Sequence, residues 1–173
     1  MEIIETERLT IRQLTIEDAE FILRLLNEPS FHQYIGDRGV RTVDDARDYI
    51  RNGPIASYEQ HGFGLCLVIE KSSGSSIGIC GLLKRDNLDY PDIGFAFVPE
   101  SWSKGYAFES SEAVMKRGRD TLGINRILAI TQPDNDRSIR TLQRLGMVFE
   151  TMVRLYEDDI DLQLFASEAA GVG

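Results

Sequence analysis

The sequence predicts an α+β domain built on a mixed, mostly antiparallel sheet that is flanked by helices. Segments with the two-residue alternation of strands are interleaved with segments of helical periodicity, in the order βααβββαβαββ. Three strands follow one another closely in mid-chain, which favours an antiparallel meander. No repeat or low-complexity break divides the 173 residues, so a single domain over 1–173 is expected, with a core at about 5–166 and a frayed tail over 167–173.

The first predicted elements are a strand and a helix. Residues 8–13 alternate apolar and polar side chains, which is typical of a strand with one buried face. Thr15, followed three places on by Asp18, is a capping box at the start of a helix. This helix is expected to end before Pro29, because proline has no N–H for a helix interior.

A second helix is predicted from a cap at Thr42 to about residue 52. Its end is placed at Gly53 and Pro54, a pair that interrupts helices. The stretch 29–40 between the two helices is expected to be irregular.

The strands of the meander and the elements of the second half follow. The meander strands are predicted over 64–70, 76–84 and 92–98, with a hairpin turn at 72–75. The later elements are a helix over 107–122, a strand over 126–131, a helix over 135–145, and strands over 147–157 and 161–166. The first of these helices is expected to bury a stripe of small and apolar residues: Ala107, Ser110, Ser111, Val114 and Leu122. Gly146 is expected to close the second one.

The charge of the chain is uneven. Its net charge is −9, yet residues 101–147 carry eight Lys and Arg against five Asp and Glu, which is +3 and leaves −12 for the rest. A net acidic chain disfavours contacts with nucleic-acid phosphates. The asymmetry predicts an anionic ligand on the basic segment and a cationic partner elsewhere, with ordinary solvated faces as the alternative.

The cysteines and the apolar runs bound the cellular context. Cys66 and Cys80 lie inside predicted strands, where free cysteine behaves as a small hydrophobe. Residues 1–8 lack the apolar region of a signal peptide, and no later run approaches the ~18 apolar residues of a membrane span. A cytoplasmic protein without a membrane contact is expected.

The segment 98–107 carries the most information about a ligand. A strand that leads through a short loop into a helix N-terminus is the geometry in which main-chain N–H groups converge on an anion. Gly105 removes a Cβ that would block close approach. The loop has neither the Gly-Lys-Ser/Thr end of an ATP-binding loop nor a G-x-G-x-x-G pattern. A phosphate cradle is predicted, without ATP or NAD; an ordinary tight turn is the alternative.

A second group of residues opens the helix at 135–145. Asn135 is placed to cap this helix, and Ser138 lies three residues into it. Capping explains part of the pattern. It does not explain why Gly146 and Met147 follow the same helix and start a strand.

Together these segments resemble the GNAT superfamily of N-acetyltransferases. The superfamily's phosphate-binding pattern is Gln/Arg-x-x-Gly-x-Gly/Ala, and residues 102–107 match its last two defined positions with Trp102 in place of the first. Residues 135–147 resemble its Asn-x-x-Ala/Ser…Leu-Gly-Phe segment. The opening, residues 6–19, is similar to the RimJ/RimL-like branch, which acetylates ribosomal-protein N-termini. The resemblance covers 5–166.

The resemblance implies a GNAT-like fold with splayed central strands and a cosubstrate, acetyl-CoA. Main-chain groups near Phe97 and Val98 would bond the pantetheine arm and the thioester carbonyl. The pyrophosphate would be held by main-chain amides of the loop residues Ser103, Lys104, Gly105, Tyr106 and Ala107. Asn135 and Ser138 would face the pantetheine and the sulfur.

The thiol side of acetyl transfer needs little help, because a thiol pKa of about 8.5 makes thiolate a fair leaving group. Many members of the superfamily carry a tyrosine acid one turn after the serine, where this chain has Leu142. The resemblance therefore leaves Ser138 as the catalytic candidate for thiolate departure. A main-chain N–H near Val98 would stabilise the oxyanion.

The amine side depends on the acceptor. At neutral pH the deprotonation of a lysine costs roughly 4–5 kcal/mol, and that of an α-amine only about 1 kcal/mol. A weak base acting through water serves the second. The candidates are Asp92, at the start of a central strand, and Glu157, which resembles the carboxylate of the ribosomal-protein branch; a solvated strand end and a hairpin charge are their structural alternatives.

The sequence leaves the acceptor open. A protein N-terminal α-amine is expected first, a small-molecule amine second, and a non-catalytic acyl-CoA-binding module third. Residues 29–40, 58–63 and 157–161 would select it, and all three are predicted to be loops. No metal and no nucleic-acid partner is expected, and the chain is expected to be a monomer or a homodimer.

Overall fold

An eight-stranded sheet organises the chain. In the computed structural model, which describes residues 2–156 and 159–168, the strands lie in the order β1-β2-β3-β4-β5-β6-β8-β7. They are β1 Ile3–Glu5, β2 Leu9–Gln13, β3 Leu65–Glu70, β4 Ser76–Leu83, β5 Asp92–Phe97, β6 Arg126–Thr131, β7 Val148–Val153 and β8 Leu162–Glu168. Every neighbouring pair is antiparallel except β5 and β6, so the predicted sheet type is confirmed.

The parallel pair at the centre of the sheet splays apart. Asp92 and Leu128 are the one aligned pair between β5 and β6, and the N–H of Leu128 donates to the carbonyl of Pro91 over 2.9 Å. Beyond this point β5 stays with β4 and β6 stays with β8. A gap therefore opens along β5 towards Phe97, and the predicted splay is confirmed.

Six α-helices flank the sheet in the described part of the chain: α1 Ala19–Leu26, α2 Pro29–Tyr34, α3 Val43–Ile50, α4 Ala56–His61, α5 Tyr106–Asp120 and α6 Asp136–Arg144. Helix α5 packs on the central strands, where Gly118 approaches Leu82 and Ile127 closely enough that a Cβ would lie 2.9 Å from the Leu82 side chain. None of the described helices is long and apolar enough to cross a membrane.

The capping predictions in the N-terminal half are confirmed. The box of Thr15 and Asp18 closes a 3₁₀ turn, Ile16–Asp18, that leads directly into α1. Thr42 caps α3 and forms a second box with Asp45. In both boxes the side chains satisfy N–H groups that a helix start leaves unpaired.

Two predictions in this half are wrong. Residues 29–34 form α2 and not an irregular stretch, because Pro29 occupies the first turn, where the N–H that proline lacks is not needed. Gly53 and Pro54 do not end the helical path. It continues as a π-helix, Arg51–Ile55, and then as α4, which also replaces most of the loop expected at 58–63.

The second half differs from expectation at element ends. Leu122 is 38% exposed because α5 ends at Asp120, so it does not extend the buried stripe; Met115 and Gly118 are buried in that helix instead. Strand β1 was not predicted, since three residues carry no readable alternation. Helix α6 ends as predicted, with Gly146 at φ 82° and the N–H of Met147 donating to the carbonyl of Leu142.

Candidate active site

The loop between β5 and α5 forms a cradle of free amides. Two of its residues, Ser103 at φ 61° and Gly105 at φ 83°, have left-handed backbone conformations. None of the N–H groups over 103–107 donates a hydrogen bond within the described residues. These donors lie at the positive end of the fifteen-residue α5, which is the arrangement that binds phosphate.

A glycine is needed at position 105 because of its backbone conformation, and less because a side chain would lack room. A Cβ built on it would meet only flexible side-chain ends, Arg8 Nη2 at 3.4 Å and Arg144 Nη1 at 4.0 Å. Its φ of 83° is, however, one that L-residues rarely adopt. The glycine therefore lets the loop turn its amides outward.

Arg8, the residue just before β2, holds this loop in place through hydrogen bonds. The sequence did not reveal this role. Arg8 Nη1 donates to the carbonyl of Lys104 over 2.8 Å, and its Nε donates to Glu109 over 2.7 Å. The same carboxylate accepts hydrogen bonds from the Thr6 hydroxyl and the Arg8 main chain. Burial acts to raise the pKa of Glu109, but these hydrogen bonds outweigh it and lower that pKa.

Trp102 joins the loop to the splayed strand. Its indole Nε1–H donates to the Phe97 carbonyl over 2.9 Å. The guanidinium of Arg137, from α6, lies over the indole with its Cζ 4.1 Å from the ring centroid. A cation is therefore held beside the loop although the first position of the phosphate pattern is tryptophan.

Three exposed arginines of α6 have no ion-pair partner among the described residues: Arg137, Arg140 and Arg144. Two of them, Arg137 and Arg144, lie beside the loop. Arg144 lies over the ring of Phe108 at 4.1 Å. In a chain with 28 acidic residues, unpaired arginines beside a free-amide loop match a ligand that carries several negative charges.

The main chain at the end of β5 differs from the expectation that the Val98 N–H stabilises the oxyanion. The N–H of Val98 donates to Ile77 and the Val98 carbonyl accepts from Ser101, so neither group is free for a thioester. Because main-chain groups alternate direction along an antiparallel strand, the bond from Val98 to Ile77 turns the N–H of Phe97 away from β4 and into the gap. The candidate oxyanion donor moves from Val98 to Phe97.

Asn135 and Ser138 lie together at the start of α6. The Asn135 side chain accepts a hydrogen bond from the Ser138 N–H over 3.3 Å, as a cap does. The half-buried Ser138 hydroxyl makes no hydrogen bond to another described residue. Leu142, one turn further on, is 1% exposed and belongs to the core. The position at which related enzymes carry a tyrosine acid is therefore taken by a buried leucine of the core.

Asp92 is not a solvated strand end. It is 1% exposed, and both carboxylate oxygens lie near Arg85 Nε, at 3.0 and 3.2 Å. Burial raises its pKa, and the attraction of Arg85 offsets only part of this effect. Along the strand Asp92 is five residues from Phe97, roughly 17 Å at the usual rise.

Glu157 lies outside the described residues. Among the described residues on either side of it, Arg154 pairs with Asp161 at 3.0 Å, and Asn87 donates to the carbonyl of Leu155 over 2.7 Å. Leu155, just after β7, therefore lies beside the connection between β4 and β5, which contains Arg85.

This geometry defines a class of protein. A gap between two parallel strands, with a free-amide loop and unpaired arginines at its open end, fits a long ligand whose thin arm runs beside main-chain groups and whose end carries phosphates. Coenzyme A has this chemistry. The class is that of acyltransferases that take an acyl group from an acyl-CoA thioester.

The chain belongs to the GNAT acetyltransferases. The model of the acetyltransferase (GNAT) domain matches residues 8–148. An uncharacterized N-acetyltransferase, p20, from Bacillus licheniformis is 30% identical over 172 residues, which is 96% of each chain. The protein is therefore an acetyl-CoA-dependent N-acetyltransferase, and the alternative of a non-catalytic binding module falls.

Solved structures agree with this assignment. A GNAT-family acetyltransferase from Bacillus anthracis is 26% identical with a TM-score of 0.80, over 96% of this chain and 98% of that one. The ribosomal L7/L12 α-N-protein acetyltransferase RimL, in complex with coenzyme A, has a TM-score of 0.84 at 17% identity, over 97% and 98% of the two chains. The second likeness shows the fold alone.

Proposed function

We propose that this enzyme acetylates the α-amine at the N-terminus of a protein, as the RimJ/RimL-like branch does. One observation carries the proposal. The carboxylate that β5 contributes, Asp92, is buried and paired with Arg85, so β5 supplies no carboxylate that can reach an acceptor amine directly. An α-amine, with a pKa of about 8, is the acceptor that needs a base least.

Two further observations support this acceptor. Outside residues 101–147 the chain has a net charge of −12, which attracts a protonated amine and basic neighbouring residues. The RimL structure with which this chain shares its fold is that of an α-N-protein acetyltransferase. A small-molecule amine is the competing acceptor.

The cosubstrate site is proposed to consist of two parts. The free amides over 103–107 would hold the pyrophosphate, with Arg137 and Arg144 beside it. The N–H of Phe97 would face the pantetheine arm and the thioester carbonyl in the gap, with Asn135 across from it. The Tyr106 side chain takes no part, because its hydroxyl donates to Glu70 under the Arg8 guanidinium.

In the reaction, the free Ser138 hydroxyl would donate a hydrogen bond to the departing thiolate. This is sufficient assistance for a leaving group whose conjugate acid has a pKa of about 8.5. Proton removal from the amine would run through water. Asp92 requires such a relay because of its burial and its distance from Phe97, and Glu157 is the second candidate.

The decisive experiment is a thiol-release assay with matched acceptors. Two peptides are compared that are otherwise identical. The first has a free N-terminus and arginine at every lysine position, and the second has an acetylated N-terminus and one free lysine. The first should react and the second should not. Equal reaction of both, or reaction only with free amino acids or polyamines, would reject the α-amine proposal and leave the acetyltransferase assignment intact.

A further inference from the structure

We propose that two copies of this chain associate edge to edge through β7, so that their sheets join into one. Strand β7 is the last strand in the sheet order, and its outer edge has no neighbour among the described strands. An unpaired edge presents a row of N–H and C=O groups that can template pairing with another strand.

The side chains of β7 are unusually apolar for an edge. Val148, Phe149 and Met152 are 67%, 48% and 43% exposed, so apolar surface is open on both faces of the strand. The six residues include no lysine and no proline, the residues that commonly block edges. Their one charge, Glu150, is already paired with Arg126 at 2.6 Å.

The opposite edge of the sheet is protected. Strand β1 has three residues, and an acid in an ion pair lies at each end: Glu2, just before the strand, pairs with Arg117 at 2.6 Å, and Glu5, its last residue, pairs with Lys71 at 2.8 Å. A short, charged edge is the usual defence against strand addition. The contrast between the two edges points to β7 as the one that another strand covers.

The register of β7 with β8 shows why the partner is a second copy. Phe149 is aligned with Phe165 and Met152 with Gln163, so both lie on one face of the sheet although they are three residues apart. A bulge at Glu150 causes this, because it reverses the alternation within the strand. By the same alignment, Val148 and Val153 share the other face.

This alternation makes β7 complementary to itself. In an antiparallel pair, directly opposite side chains lie on the same face. The twofold register that sets Phe149 opposite the partner's Met152 obeys this rule, and it also sets Val148 opposite the partner's Val153. Glu150 then lies opposite the partner's Thr151, so no charge directly opposes its like. A regular strand, without the bulge, would not pair with itself in this register.

The first test is the oligomeric state, measured by sedimentation velocity. The wild type should be a dimer that dissociates on dilution. Met152→Lys should be a monomer, because the charge would replace an apolar contact, whereas Ile3→Lys, on the opposite exposed edge, should remain a dimer. A monomeric wild type, or a dimer in the Met152→Lys variant, would overturn the proposal.

A second test fixes the register and does not depend on that variant folding well. Opposite Cα atoms in a sheet lie about 4.5–5.5 Å apart, within the range of a disulfide. Phe149→Cys and Met152→Cys chains, mixed under mild oxidation, should form a cross-linked heterodimer. Each variant alone should not, and neither should the wild type, because Cys80 is buried and Cys66 lies on β3, with four strands between it and β7. Equal cross-linking in either single variant would refute this register.

Discussion

The indole N–H of Trp102 donates a hydrogen bond to the carbonyl of Phe97 over 2.9 Å. Phe97 ends the splayed strand β5, and Trp102 precedes the free-amide loop. The bond therefore fixes the loop relative to the gap, and it occupies the Phe97 carbonyl while leaving the Phe97 N–H free. The positions of both the phosphates and the thioester of acetyl-CoA should therefore depend on the Trp102 side chain.

Trp102→Phe should weaken acetyl-CoA binding about fivefold, because it removes a hydrogen bond worth about 1 kcal/mol while keeping an aromatic ring under Arg137. Titration calorimetry measures the Kd. Trp102→Leu, which loses the ring as well, should bind more weakly still. Wild-type affinity in both variants would show that Trp102 only fills space and does not position the loop for acetyl-CoA.

Gly105→Val should abolish measurable acetyl-CoA binding. A valine would not keep the φ of 83°, so the loop amides would turn away from the ligand. Gly123→Val is the matched control, since Gly123 has a φ of 68° at the other end of α5, with no atom within 4 Å of a built Cβ. Both variants should lower the melting temperature to a similar degree, but only the first should lose binding. Equal binding by the two would remove the loop from the site.

The sequence predicted this loop because its signal is local. Strand, glycine and helix start follow one another within ten residues, and capping boxes and the Gly146 cap are equally short-range. What it missed depends on contacts between distant segments. Arg8 lies 96 residues from Lys104, and nothing in the local pattern indicates that its side chain braces the loop.

The environment of Asp92 illustrates the same limit. A carboxylate at a strand start is usually solvated, and only the fold shows that Arg85 covers it in the centre of the sheet. Proline produced the opposite error. The local pattern predicts a helix end at Pro29 and at Pro54, whereas the first begins α2 and the second lies within a π-helix, where the missing N–H is tolerated.

Ser138→Ala should lower kcat by about 10- to 100-fold and leave the Kd for acetyl-CoA nearly unchanged. The serine hydroxyl has no hydrogen-bond partner among the described residues, so its removal breaks no other hydrogen bond. Ser138→Cys or Ser138→Thr keeps a donor and should retain more activity than alanine. An alanine variant with wild-type turnover would exclude the proposed role in thiolate departure.

Asp92 should make stability decrease with rising pH. Burial raises its pKa in the folded state above the unfolded value, so folding favours the protonated form. The contribution of this group to stability is greatest below the unfolded pKa of about 3.9 and declines as pH rises through the folded pKa. The difference in unfolding free energy between wild type and Asp92→Asn, measured by urea titration, should fall over that range and then level off. A difference that grows with pH would show that Arg85 more than compensates for burial.

The pH dependence of kcat/KM should identify the base. For an α-amine acceptor, the rate should rise along a limb with a midpoint near or below pH 8, about the pKa of the amine. Replacing the true base by alanine should lower the rate at neutral pH and partly spare it at high pH, where the amine arrives unprotonated. Asp92→Ala and Glu157→Ala are the two variants, and Asp159→Ala, which alters a nearby exposed charge, is the control. Loss of a structural charge should shift the melting temperature and leave the pH profile as it is. If both variants keep the wild-type profile, neither carboxylate is the base.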